Sequence, residues 1–296
     1  MKTISFLALF FIFLTTFAQN STQYTDNNGQ THLCGPFNIS DLESDSIYNT
    51  WFNKYYNSYN IPEDINTEWN TNLKDYKVEI YLGTWCGDSK YWVSRFVKLW
   101  DDLDLNRDQL SFTALYDTED QYKVGPNHEE HGKYIHRVPT FIFEKDGEEK
   151  ARIVESPVNS LHTDLAQIAL NFPSKPNYRA ANFTMYYFEN NTIEEIEKQY
   201  DALHKSLQYL CKQSKELNTL GYVFLKRKEI EKALLIFKLN KELFKFEPNI
   251  YDSYAEGLIK ANKPKEAIKQ YKEVLKFDPL NQHAKAQIKS LKRKKK

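Results

Sequence analysis

The chain has 296 residues, enough for about two ordinary domains. Forty basic side chains balance forty acidic ones, so the global positive field that draws proteins to nucleic acid is missing. An apolar fraction of 41% and an aromatic fraction of 15% exclude a disordered chain.

Residues 1–18, MKTISFLALFFIFLTTFA, have a positive start at Lys2, a short apolar run from Ile4 to Leu14 and small residues before Gln19. That is the pattern of a secretory signal peptide, and the run is shorter than the roughly 20 apolar residues a membrane span needs. Nothing downstream is apolar enough to span. The mature chain is therefore expected to be exported, to the periplasm in a Gram-negative bacterium and otherwise to the medium. Disulfides persist there, but three cysteines, Cys34, Cys86 and Cys211, cannot all pair within the chain.

Residues 19–33 read as a polar leader. From Ser44 to Tyr59, Ile47, Trp51, Phe52, Tyr55 and Tyr56 recur at helical spacing and predict a helix. Tyr76–Leu82 alternates as a strand, and an aromatic-rich helix runs from about Cys86 to Leu103. Leu110–Tyr116 is a second strand, followed by a long polar stretch over Asp117–Arg137. PTFIFE and EEKARIV flank Lys145-Asp146-Gly147 and predict a hairpin. Ser160 is placed to cap a helix running to about Asn171. This order predicts an α/β domain with a mixed sheet over residues 34–175, extended at its N-terminus by a helix.

Residues 176–190 read as a linker, and 191–296 as a smaller, all-helical domain. Thr192 and Glu195 form a capping-box pattern that opens a helix to Leu210. Beyond it, Leu217, Leu220, Gly221, Phe224, Ala233 and Phe237 are matched 34 residues later by Tyr251, Tyr254, Ala255, Leu258, Ala267 and Tyr271. This period, with small residues where two helices must approach, resembles the tetratricopeptide repeat family. The resemblance covers about Glu216–Pro279, with Gln282–Leu291 as a terminal helix. The longer spacing from Ala233 to Pro248 predicts an extended second helix in the first repeat. Such stacks bind proteins or peptides.

The stretch Thr84–Lys90, TWCGDSK, follows a strand and sets a cysteine at a helix N-terminus, where unpaired N–H groups favour a thiolate. Together with Arg137-Val138-Pro139-Thr140 and the Asp146-Gly147 hairpin, it resembles the thioredoxin family from about Val78 to Asn171. The resemblance implies a thioredoxin-like fold and a cis Val138–Pro139 bond beside Cys86. It also implies an extended substrate pairing with the Val138 backbone, and Trp85 as an apolar rim. Three departures alter the chemistry. Ser89 replaces the second cysteine, Ile80 replaces the buried acid, and Asp88 opposes the thiolate that Lys90 favours.

Cys86 could still form a mixed disulfide, but Ser89 could not resolve it. Cys34 is the candidate resolving thiol, and Cys211 reads as a small core residue. Two functions follow. One is monothiol thiol–disulfide exchange or isomerisation on protein substrates through Cys86 and Ser89, with the repeats binding a partner. The other is a non-catalytic adaptor in which both domains only bind. No cofactor is expected. The His128, Glu129, Glu130, His131 and His136 group reads as a solvated loop, no residue is assigned to a metal, and the Lys292–Lys296 run reads as a solvated end.

Overall fold

The computed structural model describes residues 22–62 and 67–293. The expected signal peptide and the last three lysines lie outside the described residues. The chain folds as an N-terminal mixed α/β region followed by a mostly helical region.

The sheet has six strands in the order β1-β2-β4-β3-β5-β6. These are β1 (Thr22–Thr25), β2 (Thr31–Phe37), β3 (Lys77–Leu82), β4 (Leu110–Ala114), β5 (Thr140–Lys145) and β6 (Glu148–Val154). β3 runs parallel to β4 and antiparallel to β5, with Ile80 opposite Phe112 and Phe141. The β5–β6 hairpin turns at Asp146 and Gly147, which have φ of 57° and 76°, the left-handed pair that a two-residue hairpin requires.

Alternation along β3 divides the two faces of the sheet. Val78, Ile80 and Leu82 join Phe96, Trp100, Phe141 and Phe143 in the main core. The opposite face carries Tyr81, which joins Leu115, Ile135, Val138 and Ile142 in a smaller cluster. The main core is covered by α2 (Asn49–Asn57), α3 (Gly87–Asp102) and α4 (Leu161–Ala169), with a short α1 (Ile39–Ser44) before them. Ser160 caps α4, its hydroxyl accepting from the Thr163 N–H at 3.3 Å.

Several expectations need correction. The 19–33 leader contains β1 and the start of β2, a hairpin whose turn is closed by Asp26 accepting from the Asn28 and Gln30 N–H groups. The expected linker at 176–190 contains α5 (Arg179–Glu189), which buries Ala180, Ala181, Met185 and Phe188 against the helical region. Two prolines ahead of it, Pro173 and Pro176, disguise its periodicity. The helix expected over Thr192–Leu210 breaks at Gln199 into α6 (Ile193–Lys198) and α7 (Tyr200–Leu210).

The repeat period is regular. Helices α8 (Ser214–Lys226), α10 (Pro248–Lys260) and α12 (Gln282–Arg293) begin 34 residues apart, as do α9 (Ile230–Leu243) and α11 (Pro264–Phe277). The extended second helix is not formed, because α9 and α11 both have 14 residues. Pro248 opens α10 but Pro279 precedes α12, so the two prolines do not mark equivalent positions. Phe237 of α9 is gripped between Gly221 of α8 and Gly257 of α10. A Cβ at these glycines would lie 2.4 and 3.1 Å from its ring. Among the described residues, no helix is long and apolar enough to cross a membrane.

Candidate functional site

Gly83 ends β3, and a Cβ there would meet the Trp85 ring at 2.4 Å, so only glycine lets Trp85 fold back over the strand end. The Trp85 indole N–H donates to the Leu115 carbonyl at 2.8 Å, locking that position. Cys86 then serves as the N-cap of α3 with extended backbone angles, its carbonyl accepting from the Lys90 N–H at 3.1 Å.

The Cys86 thiol is half-buried and donates to the Val138 carbonyl at 3.4 Å. Val138–Pro139 is cis, as expected. The fold thus brings Trp85, Cys86, Val138 and Pro139 together from two separate connections.

Ser89 takes a different part. It is fully buried, and its hydroxyl oxygen accepts from the Gly83 N–H at 3.1 Å, so the bond it makes braces the β3–α3 turn rather than the thiol. Ile80 lies in the main core, and Glu79 on the other face pairs with Lys133 at 2.7 Å. The Lys90 ammonium lies over the Trp51 ring, 5.9 Å from its centre.

All three cysteines are free. Cys34, the candidate resolver, is 1% exposed, and its thiol donates to the Thr22 carbonyl across the β1–β2 pair. Burial pushes that thiol up, with a hydrogen bond from Tyr116 acting the other way. Cys211 is the half-buried C-cap of α7, and burial pushes its thiol up to about 12.

A cation beside Cys86 escaped the sequence reading. Lys123 is 4% exposed, has φ of 57°, and donates from its ammonium to the His136 carbonyl at 3.0 Å. Burial drives its pKa down to about 7. The Arg137 charge adds to that fall, while Cys86, Glu155 and Asp117 oppose it. The adjacent Tyr122 ring lies 6.0 Å from Trp85 and takes the Lys123 and Lys226 ammonium groups at 4.2 and 4.4 Å. Lys226 is on α8, so the helical region completes this wall.

The same region clamps the rest of the loop. Arg227, the C-cap of α8, donates to the carbonyls of Lys123 and Ile135, both at 3.2 Å, and pairs with Glu189 of α5. Arg137 pairs with Glu155, donates to Thr219 of α8 at 3.1 Å and stacks 3.9 Å from the Tyr178 ring. His136 is buried and bonded to Asn182 of α5 at 2.7 Å. Of the histidine group set aside as a solvated loop, His128 is exposed but His136 and Glu130 are buried, Glu130 accepting from the Gly125 N–H.

A second grouping lies on the helices. Donor atoms of Asp252, Glu256 and His283 fall within 4.8 Å of one another. The one-turn spacing of Asp252 and Glu256 is visible in the sequence, but the histidine comes from the next repeat. Nearby, a cleft of about 470 Å³ opens between α8, α10 and residues 119–120, floored by Tyr222, Leu225, Ile259 and Tyr271. Neither the known family models nor the curated proteins give a match to this chain.

Proposed function

We propose that the chain is an exported protein-binding adaptor, with a thioredoxin-like domain that orients a short tetratricopeptide-like stack. The observation that carries this reading is the cleft of about 470 Å³ on the inner helices. Its size and apolar floor suit an apolar side chain or short segment of a partner, while its rim balances Lys226, Lys228 and Lys260 with Glu119, Asp120 and Glu256. The thiol region supports the same reading. Ser89 is no thiol and its oxygen accepts from the turn, Ile80 offers no proton acceptor and Cys34 is enclosed, so turnover by a second thiol of the chain has no support.

The test compares three forms of the full chain in cells after amine crosslinking and purification: wild type, Cys86→Ser, and Tyr222→Ala with Leu225→Ala. The same crosslinked partner is expected with wild type and Cys86→Ser and to be lost with the cleft variant. Loss with Cys86→Ser and retention with the cleft variant would overturn the adaptor.

Lys123 favours a second reading, monothiol exchange through Cys86. The Cys86 thiolate attacks a substrate disulfide, one substrate sulfur leaves as a thiolate, and a mixed disulfide with Cys86 remains. An external thiol of small size then displaces Cys86 from the adduct. Lys123 lies within the field of the Cys86 sulfur, whose charge favours the protonated amine, so opposite charges at the two groups would support one another. Trp85, Val138 and Pro139 frame the approach. On this reading Cys86 of wild type traps a mixed disulfide with a scrambled-disulfide substrate, and Lys123→Met slows its alkylation at pH 7. Equal alkylation rates would remove the second reading.

A further inference from the structure

The grouping of Asp252, Glu256 and His283 lies apart from Cys86 and borders the cleft on the inner helices, which Glu256 also lines. Asp252 and Glu256 are one turn apart on α10, and His283 is the second residue of α12. The His283 Nε2 lies 3.7 Å from Asp252 Oδ1, too long for a hydrogen bond. Two ligands at about 2.0–2.1 Å from a tetrahedral zinc ion lie about 3.4 Å apart, close to this spacing.

Charge points the same way. Among the described residues neither carboxylate makes an ion pair with lysine or arginine. Lys260, one turn beyond Glu256, is engaged by Glu119 at 2.9 Å. Glu256 is held in place by the Tyr222 hydroxyl, which donates to its Oε2 at 2.6 Å.

Tyr271 supplies the independent observation. Its ring is fully buried, stands edge-on to His283 at 6.0 Å, and its hydroxyl has no hydrogen-bond partner. Tyr271 also lines the cleft that Glu256 borders. A buried hydroxyl without a partner is costly, and water on a bound ion at this place would satisfy it.

We propose that Asp252, Glu256 and His283 bind a divalent transition-metal cation of the zinc class, with a water in the fourth position that meets the Tyr271 hydroxyl. One imidazole and two carboxylates suit zinc better than calcium or magnesium, which take all-oxygen sets. The ion ties α10 to α12 and so fastens the terminal helix to the stack.

Zinc titration by calorimetry into the chelator-stripped full chain tests this. Wild type should take up one zinc ion at micromolar affinity or tighter. His283→Ala and Asp252→Asn should each weaken uptake by at least tenfold, Tyr271→Phe by severalfold, and Cys86→Ser not at all. Cobalt on wild type gives a second readout that needs no variant. A visible d–d band without thiolate charge transfer is expected. Absence of that band, charge transfer that disappears in Cys86→Ser, or zinc uptake unchanged in the His283→Ala, Asp252→Asn double variant would overturn the site.

Discussion

The Lys123 ammonium donates to the His136 carbonyl at 3.0 Å, two residues before the Val138 carbonyl that meets Cys86. This fixes a buried base behind the cysteine, and it has a thermodynamic consequence. Folded Lys123 loses its proton near pH 7, whereas the unfolded side chain keeps it to about 10.5. Between those values the unfolded chain binds the extra proton, so this group makes stability rise with pH. In urea unfolding from pH 7 to 9, wild type should gain about 2 kcal/mol relative to Lys123→Met. Parallel profiles would show that the ammonium is solvated.

His136 acts in the acid range. Its Nε2 donates to Asn182 Oδ1, since the Asn182 amide N–H is committed to the Asn177 carbonyl, and its Nδ1 is buried without a partner. Burial pushes its pKa down to about 3 from 6.5, the bond to Asn182 acting the other way. Below pH 6.5 the unfolded chain gains a proton that the folded chain refuses, so stability falls by about 1.4 kcal/mol per pH unit toward pH 4. His136→Gln keeps an amide donor for Asn182 and should flatten that fall in denaturant titrations at pH 6.5, 5.5 and 4.5.

Arg227 is the central fastening between the two regions. Truncation in Arg227→Ala strips two backbone carbonyls and Glu189 of their partner, at a cost of about 2–4 kcal/mol. Arg227→Lys should recover little, because one ammonium cannot span the three acceptors as the planar guanidinium does. Thermal unfolding with Trp85 fluorescence as a local probe reads both effects.

Gly221→Ala should destabilise the helical region by about 1–3 kcal/mol through overpacking against Phe237. Pairing it with Phe237→Leu should return part of that loss. A double-mutant cycle on unfolding free energies measures the coupling.

Much of the α/β region is legible from alternation and turn chemistry. β3 to β6, the Asp146-Gly147 turn and the Cys86 N-cap all follow from local signals, and local and tertiary preferences agree there. The β1–β2 hairpin escapes because β1 is a polar edge strand, and among the described residues of the expected leader only His32 and Leu33 become buried. Helix α5 escapes because its apolar face is read after two prolines and a left-handed Tyr178. The site divides in the same way. Trp85, Cys86, Val138 and Pro139 are found from motif and spacing, whereas Lys123 looks like one more lysine of a polar loop. Its carbonyl is held by Arg227 and the ring of its neighbour Tyr122 is met by Lys226, both roughly a hundred residues further on. The bond Ser89 accepts from Gly83 escapes the sequence, because it depends on how tightly the turn closes.

The grip of Arg227 on the carbonyls of Lys123 and Ile135 also makes the cysteine motif non-portable. A fragment ending before α5 would carry TWCGDSK and Pro139 intact, yet the Lys123 and Ile135 carbonyls would lose the Arg227 guanidinium and the Tyr122 ring would lose the Lys226 ammonium. Recombination that exchanged the helical half for an unrelated one would therefore rewrite the surroundings of Cys86 without changing a residue near it. Any descendant that keeps those surroundings must keep both halves together.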